Sequence, residues 1–122
     1  MKILFDNCTP ATLRRHFIDY EVTLAAERGW EEYRNGDLLE VAQHEFDVIV
    51  SVDTNIKYQQ RLEEYEIALI VLRGFKNTEP RLRELIPEVL ILLATIQPGE
   101  VLYLFTEEMK EIEKRRRQAF KR

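Results

Sequence analysis

The chain is poor in the residues that advertise a disulfide, a histidine metal site or a membrane anchor: one cysteine, two histidines and no long apolar run in 122 residues. Cys8 cannot close an internal disulfide, and it is expected to be a reduced thiol acting as a small hydrophobe in a cytoplasmic protein. A reactive thiol needs a positive, partly exposed setting, and nothing beside Cys8 in the sequence supplies one. His16 and His44 lack the spacing of a zinc site. The most apolar stretch, Val89 to Ile96, is less than half of the roughly 20 residues that a membrane span needs. No signal peptide is expected, because Lys2 passes straight into Ile3-Leu4-Phe5. Internal repeats and low-complexity linkers are missing too, and 122 residues with 45% hydrophobic content suit one compact domain.

What is present is an alternation of short apolar runs with segments of helical period, the pattern of an α/β domain with a mostly parallel sheet. The runs are Ile3 to Phe5, Val48 to Val52, Ile67 to Leu72 and Val101 to Phe105, with a weaker one at Glu21 to Leu24. Their continuous apolarity predicts burial on both faces, so helices must cover both sides. Thr9-Pro10 opens a first helix running to about Phe17, and Asn35-Gly36-Asp37 opens a second with Leu38, Leu39, Ala42 and Phe46 on one stripe. A third follows Asn55 with Tyr58, Leu62 and Tyr65, and a fourth starts near Pro80, with a kink or break expected at Pro87. Pro98-Gly99 turns the chain into the last strand.

Two of the apolar runs end on an acid: Asp6 follows Ile3-Leu4-Phe5 and Asp53 follows Val48 to Val52. In parallel sheets, side chains at the carboxyl ends of separate strands converge on one crevice. Converging carboxylates repel, so they persist where a cation binds them or a proton neutralises them. Mg²⁺ or Mn²⁺ fits such an oxygen-rich pair and points to phosphoryl transfer. Asp37, opening a helix, and Glu27, in AAERGW, are further candidates. Asp37 serves equally as a helix cap worth about 1 kcal/mol, and Glu27 as a solvated acid on a connection.

The segments FDNCTP, LRRH, ERGW, NGDLLEVA, FDVIVSVDTNIKYQQ and IALIVL, in that order, resemble the small bacterial PIN-like proteins of the DUF5615 type. The likeness runs from Met1 to about Leu104. It implies a three-layer α/β/α sandwich, a metal-dependent ribonuclease site and, in many relatives, the toxin role in a toxin–antitoxin pair. By position it makes Asp6, Asp37 and Asp53 the catalytic, metal-holding acids, with Ser51 orienting a carboxylate. Glu27 and Asn55 would lend secondary contacts, and Lys57, Tyr58 and Gln59 would position single-stranded RNA. Where many relatives carry a second acid after the first, this chain has Asn7, and Asn55 replaces the second acid of a D-x-D. Those two changes leave room for a catalytically inactive PIN-like binding module, its acids kept for folding or for an antitoxin. A phosphoacceptor domain is a third reading, opposed by the lack of an acid beside Asp6 and of a lysine after the last strand.

The other polar groups divide between substrate contacts and plain surface. Tyr58 suits either base stacking or packing on the sheet, and Arg14, Arg15 and His16 suit either the RNA backbone or a solvated face. Trp30 is expected as a core or shelf residue under the loop before Asn35. The resemblance makes residues 1–106 a PIN-like domain, and they hold 11 Lys or Arg against 18 Asp or Glu, a formal charge of −7. Residues 107–122 form a basic helix or tail with seven cations against four acids, +3. Met109, Ile112, Arg116 and Phe120 fall on one face of that helix, which suits RNA phosphates, a second copy in a homodimer, an antitoxin or plain solvent.

Overall fold

The computed structural model describes residues 1–33, 36–53 and 62–120. Its centre is a five-stranded sheet built from β1 (Lys2–Phe5), β2 (Glu21–Leu24), β3 (Val48–Ser51), β4 (Ala68–Arg73) and β5 (Val101–Phe105). All four pairings are parallel and the order is β2-β1-β3-β4-β5. Every carboxyl end therefore lies on one edge. The order reverses between β1 and β3, which makes that gap the switch point of a doubly wound sheet. The weak run at Glu21 is an edge strand, and its exposed or half-buried residues explain its faint apolar signal.

The sheet separates two cores. Ile3, Phe5, Val48, Val50, Ile70 and Leu72 share one with Leu13, Phe17, Leu82, Ile86 and Val89. Leu4, Ile49, Leu69 and Val71 share the other with Leu38, Leu39, Ala42, Phe46 and Leu62. Alternate residues of each strand enter opposite layers because successive side chains point to opposite faces. The result is a three-layer α/β/α sandwich with a wholly parallel sheet.

The helical segments differ from expectation in pitch more than in position. Ala11–His16 is a 3₁₀ helix rather than an α-helix, burying Leu13 on one core. α1 (Gly36–Ala42) carries the expected stripe, with Leu38, Leu39, Ala42 and Phe46 all buried. The third helix falls mostly outside the described residues. Its end is a 3₁₀ turn, Leu62–Glu64, with Leu62 buried and Tyr65 against the second core.

The fourth helix is split into α2 (Glu79–Leu82), a 3₁₀ turn Arg83–Leu85 and α3 (Ile86–Leu92). The break comes one turn before Pro87, which sits in the first turn of α3. Proline lacks the N–H that would reach the Arg83 carbonyl, and its ring crowds that oxygen. The Ile86 N–H bonds Arg83 instead, and this tighter contact is the 3₁₀ turn.

The chain enters β5 through Gly99, whose φ of 86° needs a residue without Cβ, and its N–H donates to Ile67 at 2.9 Å. α4 (Glu107–Phe120) then follows Thr106, whose buried hydroxyl accepts the Met109 N–H at 3.2 Å. Met109 is buried and Ile112 half-buried, while Arg116 is exposed, so the expected stripe docks through its first turns. Arg81 binds both Glu108 oxygens at 3.0 Å, tying α2 to the start of α4. Among the described residues no helix is long and apolar enough to cross a membrane.

Candidate acidic site at the switch point of the sheet

The register of β1 on β3 pairs Phe5 with Val50, so the next step sets Asp6 beside Ser51. The Asp6 N–H donates to the Val50 carbonyl at 3.3 Å, extending the ladder by one bond. Ser51 is wholly buried, and its hydroxyl donates to Asp6 Oδ2 in a short bond. The same hydroxyl accepts the Asp53 main-chain N–H at 2.9 Å. One serine thus links the acid that ends β1 to the acid that follows β3. The resemblance gives Ser51 the task of orienting a carboxylate; the carboxylate it holds is that of Asp6, and Asp53 meets it through the backbone.

Thr9 holds the other Asp6 oxygen. Its N–H donates to Oδ1 at 3.1 Å and its hydroxyl lies 2.6 Å from the same atom, closing the Asp6-Asn7-Cys8-Thr9 turn. The hydroxyl also lies 3.0 Å from the Val50 carbonyl. With Asp6 ionised, the single Thr9 proton points to the carboxylate. With Asp6 protonated, Asp6 donates to Thr9 and Thr9 to Val50, so both charge states have a complete bonding pattern.

Burial pushes the Asp6 carboxyl above its ordinary range, and the neighbouring Asp53 charge adds to this. The Ser51 and Thr9 hydrogen bonds pull the other way without prevailing. Cys8, a free thiol, is exposed, because the turn carries it outward. Its thiol is pushed up by partial desolvation and then by the Asp6 and Asp53 charges. The thiol stays protonated beside these acids, so it is a poor nucleophile for a reason the sequence did not show.

The other candidates stand apart. Asp37 is exposed in the first turn of α1. Among the described residues no three His, Cys, Asp or Glu side chains are grouped to hold a metal ion, so Asp6, Asp37 and Asp53 do not form one ready cluster. Glu27 reaches back to the Leu24 N–H at 2.8 Å and accepts Arg14 at 2.7 Å, closing the turn after β2. Those contacts, the backbone bond first, hold its carboxyl below the usual range. Asn55, Lys57, Tyr58 and Gln59 lie outside the described residues.

The basic run of the first helix is also engaged. Arg15 donates to Glu79 Oε1 at 2.9 Å, and His16 Nε2 lies 2.8 Å from the same oxygen. Trp30 is the expected shelf, half-buried against the second core, stacked on Tyr33 and edge-on to Phe46. Arg28 lies over Trp30 and Phe46 and pairs with Glu45.

A hard divalent cation is the group that the resemblance implies here. Asp6 and Asp53 offer oxygen donors only, and Asp6 Oδ2, which accepts the Ser51 hydroxyl, keeps a second lone pair, whereas Oδ1 is taken by the Thr9 N–H and hydroxyl. Mg²⁺ commonly uses one or two carboxylates, completed by water and substrate phosphate, and two carboxylates are of the type and number it takes. Compared with models of known protein families, with curated proteins and with solved structures, the chain matches none.

Proposed function

We propose that the chain is a Mg²⁺- or Mn²⁺-dependent ribonuclease of the PIN-like type, acting on single-stranded RNA at the Asp6–Asp53 site. One observation carries the reading: the acids that follow two adjacent strands are linked through Ser51 at the switch point, and one is held partly against ionisation by burial and by the other's charge. Such a pair accommodates a cation better than it accommodates itself.

Asp6 and Asp53 would hold the ion. When bound it supplies a water of lowered pKa and neutralises charge on the phosphate oxygens. Ser51 and Thr9 fix the direction of the Asp6 carboxylate, and the Asp53 N–H on Ser51 sets the spacing of the two acids. Glu27 closes the turn after β2, and Asp37 stands in the first turn of α1. Lys57, Tyr58 and Gln59, shortly after Asp53 in the chain, are assigned to RNA and Asn55 to a secondary contact, and a toxin role with an antitoxin partner belongs to the same reading.

A catalytically silent binding module is the second reading. It is favoured by the engagement of both Asp6 oxygens in internal hydrogen bonds, which suits an acid kept to close a turn.

Cleavage of a fluorescent single-stranded RNA, with Mn²⁺, Mg²⁺ or EDTA, separates the two. The ribonuclease reading expects cutting that needs metal and falls at least about 100-fold in Asp53→Asn, the usual scale for losing an electrostatic catalytic group. A folded protein that cuts no RNA with either metal leaves the silent module standing.

A further inference from the structure

The described part of α4 carries cations that the acidic site does not use. Lys110, Lys114 and Arg117 recur at four and three residues, which sets them on one face of the helix. With Arg73, Phe105 and Glu113 they line an open cavity of about 260 Å³. Among the described residues no carboxylate pairs with Arg73, Lys114 or Arg117, while Glu113 is taken by Arg116 at 3.2 Å and Lys110 by Glu107 at 3.1 Å. In a chain of net charge −4, a patch of unpaired cations around a cavity calls for an anion.

A second cavity of about 300 Å³ lies against the neighbouring face of α4, with Val52, Phe75, Met109, Ile112 and Arg116 in its lining. Arg73 lines both, which sets the two side by side, and Val52, in the lining of the second, is the residue before Asp53. The first cavity falls below the roughly 300–1,000 Å³ of organic-ligand pockets and the second only reaches the lower end, and both are open. An extended chain fits this shape better.

Two aromatic rings decide which chain. Phe75 is 60% exposed, a wide ring offered to solvent beside Arg73. Arg73 lies over Phe105, 5.6 Å from the ring centre, leaving its N–H edges free for a phosphate. Cations beside one exposed ring, Phe75, match the stacking platforms and charged grooves of single-strand binders. An acidic peptide would use the cations and leave Phe75 idle.

We infer that the groove from Val52 across Arg73 to Lys114 and Arg117 binds the phosphate backbone of a single-stranded nucleic acid, with a base stacked on Phe75. The choice of nucleic acid rests on the ribonuclease reading; the anion-binding groove does not. α4 then has a second task besides docking through Met109: it carries the strand away from Asp53.

Fluorescence anisotropy of a labelled single-stranded RNA of about 12 nucleotides, in EDTA so that metal-dependent cutting is excluded, tests the groove. Lys114→Gln/Arg117→Gln should weaken binding about tenfold or more at about 50 mM salt and lower the salt slope by about 1.4, roughly 0.7 for each phosphate no longer neutralised. Arg83→Gln/Arg115→Gln removes the same charge elsewhere and should change binding less than about twofold. Phe75→Ala should weaken RNA but leave inorganic polyphosphate untouched. Equal losses from both double variants, or displacement of the RNA by polyglutamate at matched charge, overturn the proposal. The two readings fail separately: groove-dependent binding without cutting in Mn²⁺ removes the nuclease alone. Cutting with groove variants that bind as well as the parent removes the groove alone.

Discussion

Asp6 is pulled two ways. Ser51 and Thr9 hydrogen bonds favour its ionised form, whereas burial and the Asp53 charge favour the proton, and the second pair prevails. A folded pKa above the unfolded value, about 3.9, gives a contribution to stability that is full below that value and lost as pH rises through the folded pKa. Asp6→Asn has no such loss. Its stability relative to the parent should therefore rise between about pH 4 and pH 7, read by urea unfolding at both; a constant difference would mean the acid is not strained. Adding Mn²⁺ should raise the parent's Tm and leave the variant's unmoved. Thr9→Val keeps the shape and removes the hydroxyl that serves Asp6 and Val50, at a cost of about 1–2 kcal/mol. The sequence exposed Asp6 and Asp53 because each interrupts an apolar run. It exposed Thr9 only as a helix opener, and the Ser51–Asp6 bond spans 45 residues, beyond any local pattern.

Helix ends carry the next level of control. Thr106 caps α4 from a buried position, with Glu107 and Glu108 in the first turn and cations toward the other end, as the helix dipole favours. Thr106→Ala should cost about 1 kcal/mol and speed hydrogen exchange at Met109 to Ile112, while β5 amides stay protected. Equal exchange in both elements would mean that α4 and β5 open together. Glu79 joins the first 3₁₀ helix to α2, and its carboxyl is held low by His16 and then Arg15. A depressed pKa contributes stability above the unfolded value, about 4.3, and loses it as pH falls. The stability gap between parent and Glu79→Gln should narrow steadily as pH falls from that value through the folded pKa; a gap that does not change with pH would assign the effect to packing. Element positions were legible from apolar spacing, and Leu38, Leu39, Ala42 and Phe46 are buried as that spacing predicts. Pitch was not: proline perturbs the carbonyl four residues before it, so the break at Arg83–Leu85 precedes Pro87. The Glu79 contacts bridge more than 60 residues and leave no periodic trace.

At the scale of the whole molecule, one sheet serves two cores, and strand order is what sequence runs cannot state. Five apolar runs announce strands; only the pairing β2-β1-β3-β4-β5 sets the ends of β1 and β3 side by side, and with them Asp6 and Ser51. The same sheet couples the layers. Leu69 and Ile70 are neighbours on the interior strand β4, both fully buried, yet they face opposite cores. Leu69→Ala and Ile70→Ala should each cost about 2–5 kcal/mol through reduced burial and a residual cavity. A domain of this size has about 5–15 kcal/mol in all, so either change weakens the entire fold. Because β4 cannot loosen toward one layer without giving up its ladder to β3 and β5, both variants should unfold in a single transition. The urea m-value should match the parent's, and Trp30 fluorescence on the second core should coincide with far-ultraviolet circular dichroism. A Leu69→Ala transition in which Trp30 reports early, ahead of the backbone signal, would mean that the α1 layer detaches from a sheet still held by the other core.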